Sequence, residues 1–416
     1  MVGRAARAAP PCNAHGGALL PYLEKSASKA ESPDELLATI RRASDLATVA
    51  WAASALETRV LLEESAVPQG AEAVLTDRLA GFSPDTEGHA LEDAERVAAS
   101  ALLGALLELV RTRPGARKHV RGLLVAEGST WLGALFCVMA GPGAHKLFLS
   151  IDRTTRHARP PRPTPPPQVA SPSLPKYGVD GGAAFVHACH LLTSVAVGDE
   201  EIAKVLVSAH ALDLVGGRLL CATTGGNPEI DAEMREDLGT EWLPFATAAM
   251  ALIDALINAE DDDRFCLAEP KLFRPGWVLY ERANVTVDAC VAALKRSLRI
   301  DGGSMVAQQL HLSGLRALSR IAQFNDGQAH RIMSWKALGL GADVLRIAGV
   351  DEEAVLAALR FLAEVAAPCP FSHRQLAACG AAEAASHAVG RYPRSEAVRF
   401  EATRVHALCA GGGSCC

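Results

Sequence analysis

The densest group of metal-ligating side chains in the chain is His187-Ala188-Cys189-His190. His187 and His190 are three residues apart, so on a helix they share one face, and two imidazoles so placed could supply two of the four ligands of a zinc ion. No second pair of ligands stands near them, and none of the 11 cysteines forms a Cys-x-x-Cys pair. The histidines therefore read as hydrogen-bonded members of a buried helix, and no metal ligand is assigned. Glu260-Asp261-Asp262-Asp263 would attract a cation, but it lacks the alternating oxygen ligands and central glycine of a calcium loop. It reads as a solvated turn between helices.

Catalytic signatures are missing. There is no phosphate-binding Gly-x-x-x-x-Gly-Lys-Ser/Thr loop, no His-Glu-x-x-His and no Gly-x-Ser-x-Gly elbow; Gly302-Gly303-Ser304 continues into Met305-Val306. No catalytic residue and no cofactor is assigned, and the chain reads as a non-enzyme.

The 416 residues can bury a large core. Apolar residues make up 49% of the chain and aromatics only 5%, with alanine and leucine dominant. That balance favours helices with small residues at close contacts and gives sheets little support. A net charge of −6 carries no basic excess that would call for nucleic acid. An odd number of cysteines inside apolar helical stretches, such as Cys137, Cys221 and Cys290, points to a reducing compartment, and the cytoplasm is the expected location. No charge-free apolar run is long enough to span a membrane. The nearest, 131–144 and 242–253, contain Pro142 and Pro244 and read as buried helices.

The elements that must carry these residues are helical throughout. Ser32-Pro33-Asp34-Glu35 is a helix start, with a capping serine, a proline in the first turn and acids at the positive helix end. A helical pattern runs from there to about Ser65, followed by helices at about 69–80, 88–112, 115–126 and 130–140. Arg159 to Pro167 holds six prolines and reads as an extended linker, because proline lacks the amide donor. Beyond it, Asp199 starts a helix expected to reach Val215 and stop at Gly216-Gly217. Later helices are expected at about 229–238, 243–259, 285–299, 304–323, 327–338, 341–348, 352–366, 373–390 and 395–409. The expected organisation is a tail over 1–30, helical repeats over 31–150, a Pro-rich linker over 151–180, repeats over 181–410 and a Gly/Cys tail over 411–416.

The C-terminal third repeats itself. Gly341-Ala342 and Gly380-Ala381 are 39 positions apart, and each reads as a helix opening. The spaced pairs Leu318/Ile321, Leu359/Leu362 and Val405/Leu408 recur at similar intervals. A recurring helical unit of roughly 40 residues marks a stacked helical array. The N-terminal part echoes it, with Val110 four before Pro114 as Val389 is four before Pro393, and with Val120 and Val398 following. These residues resemble the armadillo-like (ARM/HEAT-type) repeat family, whose units carry a short first helix, a second helix often opened by Gly-Ala and a longer third helix. The resemblance implies an all-α fold, an armadillo-like α-solenoid of stacked helical repeats interrupted by the Pro-rich linker.

It also implies a function: a non-catalytic scaffold or adaptor that holds a protein partner along a solenoid groove. The importin-type subgroup places Asn four residues after Trp. Here those positions are Ala55, Leu135, Ala246, Glu281 and Gly339, so a nuclear-import receptor is not expected. Pro160 and Pro163 have PxxP spacing but lack a basic residue at the anchoring offset, and read as part of a spacer. The end, Gly411 to Cys416, is similar to the doubly geranylgeranylated tail of Rab-type GTPases, which makes Cys415 and Cys416 candidate lipidation sites and a membrane-tethered adaptor the alternative reading. A helical enzyme is a third.

Overall fold

The computed structural model describes residues 32–62, 67–82, 93–126, 130–140, 180–224, 242–258, 275–301, 303–347, 349–368 and 370–411. The protein is all-α: these residues form eighteen helices, and there is no strand among them. The Glu260–Asp263 turn, the proline run, the helix expected at 229–238, and Cys415 and Cys416 lie outside the described residues.

In the first part, α1 is Pro33–Arg42, α2 Leu46–Leu62, α3 Ala71–Ala80, α4 Asp93–Thr112, α5 Pro114–Val125 and α6 Thr130–Ala140. Then come α7 (Asp180–Ala196), α8 (Glu200–Ser208), α9 (Ala211–Thr224), α10 (Trp242–Ile257), α11 (Pro275–Asp301) and α12 (Met305–Phe324). The last six are α13 (Asp326–Ser334), α14 (Leu338–Arg346), α15 (Glu352–Ala366), α16 (Pro370–Ala378), α17 (Ala381–Arg391) and α18 (Glu396–Gly411).

The helices pack serially. α2, α4, α7, α10, α12, α15 and α18 form one row, each against the next in that order. A second row, α3, α6, α9, α11, α14 and α17, lies beside it in the same order. The shorter α5, α8, α13 and α16 occupy the turns between the rows. α4 packs directly on α7, so the helices on either side of 141–179 are in contact. The core runs along the rows without a break. Leu56, Leu103, Phe185, Trp242, Leu318, Leu359 and Val405 all belong to it. The recurring pairs Leu318/Ile321, Leu359/Leu362 and Val405/Leu408 fall on α12, α15 and α18, three consecutive members of the first row.

Arginines link segments far apart in the chain through backbone carbonyl oxygens. Arg113 donates to Val67 O (2.7 Å) and Pro68 O (3.2 Å), and Arg391 donates to Ile347 O (3.0 Å) and Leu345 O (3.3 Å). Each of these bonds spans 44 to 46 positions of chain.

The helix start at Ser32 forms as read: Ser32 Oγ accepts from Glu35 N, and Glu35 Oε2 accepts from Ser32 N at 2.8 Å. Four boundaries differ from the sequence reading. The pattern from Ser32 to Ser65 is two helices, because Asp45 Oδ1 accepts from Thr48 N (2.8 Å) and caps a new start. The helix expected to run from Asp199 to Val215 ends at Ser208; His210 takes a left-handed φ of 66°, and α9 continues straight through Gly216-Gly217. A Cβ on Gly216 would lie 3.2 Å from Thr286 Cα, so this glycine lets α9 and α11 touch and does not end a helix. The helix expected over 373–390 breaks at Gly380, whose φ of 72° starts α17.

The fourth difference concerns Gly341. It lies inside α14, three residues past its start, and does not open it. A Cβ there would meet Leu362 Cγ at 2.9 Å and Phe361 Cδ1 at 3.0 Å, and both side chains are fully buried. Gly341→Ala should therefore destabilise the protein by about 2 kcal/mol through overpacking, outweighing the gain in helix propensity; urea unfolding of the variant checks this. The Val-Pro echo also pairs unlike positions. Val110 precedes Pro114 from the long helix α4, whereas Val389 precedes Pro393 from the second-row helix α17.

Candidate functional site

The first row presents its polar side chains in two groups. Toward the C-terminal end they form a ladder of ion pairs. Arg316 of α12 lies 3.6 Å from Asp254 of α10 and 3.1 Å from Glu353 of α15. Arg360 of α15 reaches Glu401 of α18 at 3.2 Å, and Arg404 of α18 reaches both Glu364 (2.8 Å) and Glu401 (2.8 Å). All of these ion pairs except Arg404–Glu401, which lies within α18, cross from one long helix to the next. Asp254 also accepts from Asn258 Nδ2 at 2.6 Å. Burial pushes its carboxyl up to about 6, against the opposing pull of Arg316 and Asn258.

Toward the N-terminal end, α2, α4 and α7 bring together Glu57, Glu108, Arg111, His187 and His190. Arg111 donates to Glu108 Oε1 at 2.7 Å, one helical turn away on α4. Glu57 of α2 lies across Gly104 of α4, where an added Cβ would come 2.7 Å from Glu57 Oε2. It makes no hydrogen bond or ion pair among the described residues. Burial raises its carboxyl to about 7; the charge of Glu108 adds to the rise and that of Arg111 opposes it.

His187 Nδ1 lies 2.9 Å from Ser100 O on α4, so that nitrogen carries the proton and donates it. His190 is held neutral, with its pKa lowered to about 4 by burial first and then by the neighbouring Arg111 and His187.

The histidine pair of the sequence reading thus faces α4 at the edge of this polar notch. Cys189, between them, points away into the core and is fully buried, which pushes its thiol well up. Among the described residues, no three His, Cys, Asp or Glu side chains converge in a way that would hold a metal. Glu57, Glu108 and Arg111 were not singled out by the sequence. They lie within helices that read as core, and residues 57, 108 and 190 meet only because α2, α4 and α7 are neighbours in the row. The one local hint is Gly104, a glycine inside an apolar helix stretch.

No helix among the described residues is long and apolar enough to cross a membrane. No family model matches the chain, and no curated protein matches it. Among solved structures, the chain is similar to the crystal structure of an engineered protein, with 15% sequence identity over 81% of this chain and 97% of that one. The TM-score of 0.44 is too low to support an argument about function.

Proposed function

We propose that the protein is a non-catalytic scaffold, an armadillo-like α-solenoid whose row of long helices receives a segment of a protein partner. The observation that carries this reading is the unbroken order of contacts from α2 through α18, with ionisable side chains placed along the same row. Serial stacking of this kind creates an extended surface to which each repeat contributes a strip. A bound segment would find there both ion-pair partners and small residues that allow close approach. The free thiols of Cys137, Cys189, Cys290, Cys379 and Cys409 support a reducing compartment such as the cytoplasm.

Photo-crosslinking in cells tests the reading. A photoreactive residue at Thr58, Arg316 or Arg360, all exposed on row helices, is expected to capture one and the same protein. The same residue at Lys118 on α5 or Glu383 on α17 is expected to capture none of it. Equal capture from both sets, or none from the row, would rule the reading out.

A further inference from the structure

We propose that Glu57 is the seat for a lysine or arginine side chain of the bound segment, an assignment that rests on the scaffold reading above. The first support is its isolation. Four other partly or fully buried acids of the row each have an arginine: Glu108 has Arg111, Asp254 has Arg316, Glu364 has Arg404, and Glu401 has both Arg360 and Arg404. Glu57 has none among the described residues.

The second support is the space around it. Gly104 leaves the room that the carboxylate occupies: a Cβ there would lie 2.7 Å from Glu57 Oε2, and the end of the acid's side chain would have to move aside. The acid is therefore accommodated in a notch between α2 and α4.

The third support is charge. The cation that acts on it, Arg111, is already bound to Glu108 at 2.7 Å, so their charges cancel. Behind that pair, on α7, His187 is fixed by Ser100, and His190 is neutral. An ionised Glu57 leaves the notch with one uncompensated negative charge. Glu57 is half-buried, and partly removing a carboxylate from water without a partner carries a cost, so a chain selected only to fold would gain by placing a neutral side chain there. An ammonium or guanidinium group supplies the missing charge and the missing donors together. When it arrives, a Glu57 that was protonated gives up its proton to solvent, and the carboxylate pairs with the cation.

Selection of short random peptides displayed on phage, using the full chain, tests the proposal. Peptides enriched by the wild-type protein are expected to carry Lys or Arg at one fixed position. They should bind Glu57→Gln about tenfold more weakly or worse, and thermal melting confirms that this variant is folded. Calorimetry near pH 6.5 in buffers of different ionisation heat should show proton release on binding to the wild type and none from this group in the variant. Enriched peptides without a fixed basic residue, or with equal affinity for both proteins, would overturn the assignment and leave the scaffold reading standing. Failure of either protein to enrich any peptide would overturn both.

Discussion

Glu57→Gln is expected to stabilise the free protein at pH 8 and to change its stability by less than about 1 kcal/mol at pH 5. The reason is the direction of the shift. The folded carboxyl titrates near 7 and an unperturbed one near 4.5. A raised acid favours folding fully below its unfolded pKa, and the benefit is lost as pH rises through the folded value. At pH 8 the folded state must hold an ionised Glu57 in a poor environment. The shift corresponds to roughly 3 kcal/mol, and partial exposure and the amide's own needs reduce the expected gain to about 2 kcal/mol. Urea unfolding of both proteins at pH 5 and pH 8 measures it. Equal stabilities at pH 8 would mean that Glu57 is well solvated. Gaining stability by removing a charge is common at sites kept for binding, where an unfavourable group persists because a partner compensates it.

Acidification should act in the opposite sense through histidine. His311 of α12 is fully buried, its Nε2 lies 3.0 Å from Ser297 Oγ, and its Nδ1 has no partner among the described residues. Burial lowers its pKa to about 4 from an ordinary 6.5. Above pH 6.5 it is neutral in both states and contributes no pH dependence. Below that, the unfolded chain takes up a proton that the folded ring refuses, and stability falls until pH reaches about 4. At pH 4.5 the loss from this residue is about 3 kcal/mol. His190 adds a similar loss, lessened by its partial exposure. His311→Gln should remove its own share, so the stability difference between wild type and variant should change by about 3 kcal/mol between pH 7 and pH 4.5. A constant difference would show that the ring is protonated in place.

Much of the helical content could be read before the structure was known. The start at Ser32, the long helices over 130–140 and 352–366 and the scarcity of sheet signals follow from capping residues and apolar spacing, which act within a few turns of chain. Glycines were harder to interpret. Gly216, Gly341 and Gly380 look alike in the sequence, yet the first two are sites of close helix contact inside helices and only the third starts one at positive φ. Whether a glycine breaks a helix or allows another to approach depends on what lies opposite, and the chain does not encode that locally.

The repeat spacing of Leu318, Leu359 and Val405 was visible as a pattern, and the structure sets all three on successive helices of one row. The histidine pair was visible too, but the reason it matters was not. By itself the sequence determined helices, their approximate lengths and the absence of a recognisable catalytic motif, because propensity, capping and periodicity are short-range. Only the tertiary structure decided that Glu57, Arg111 and His190 share one notch while Arg316, Arg360 and Arg404 lie in a ladder of ion pairs. Electrostatic environment depends on which helices become neighbours, and stacking brings together residues more than a hundred positions apart.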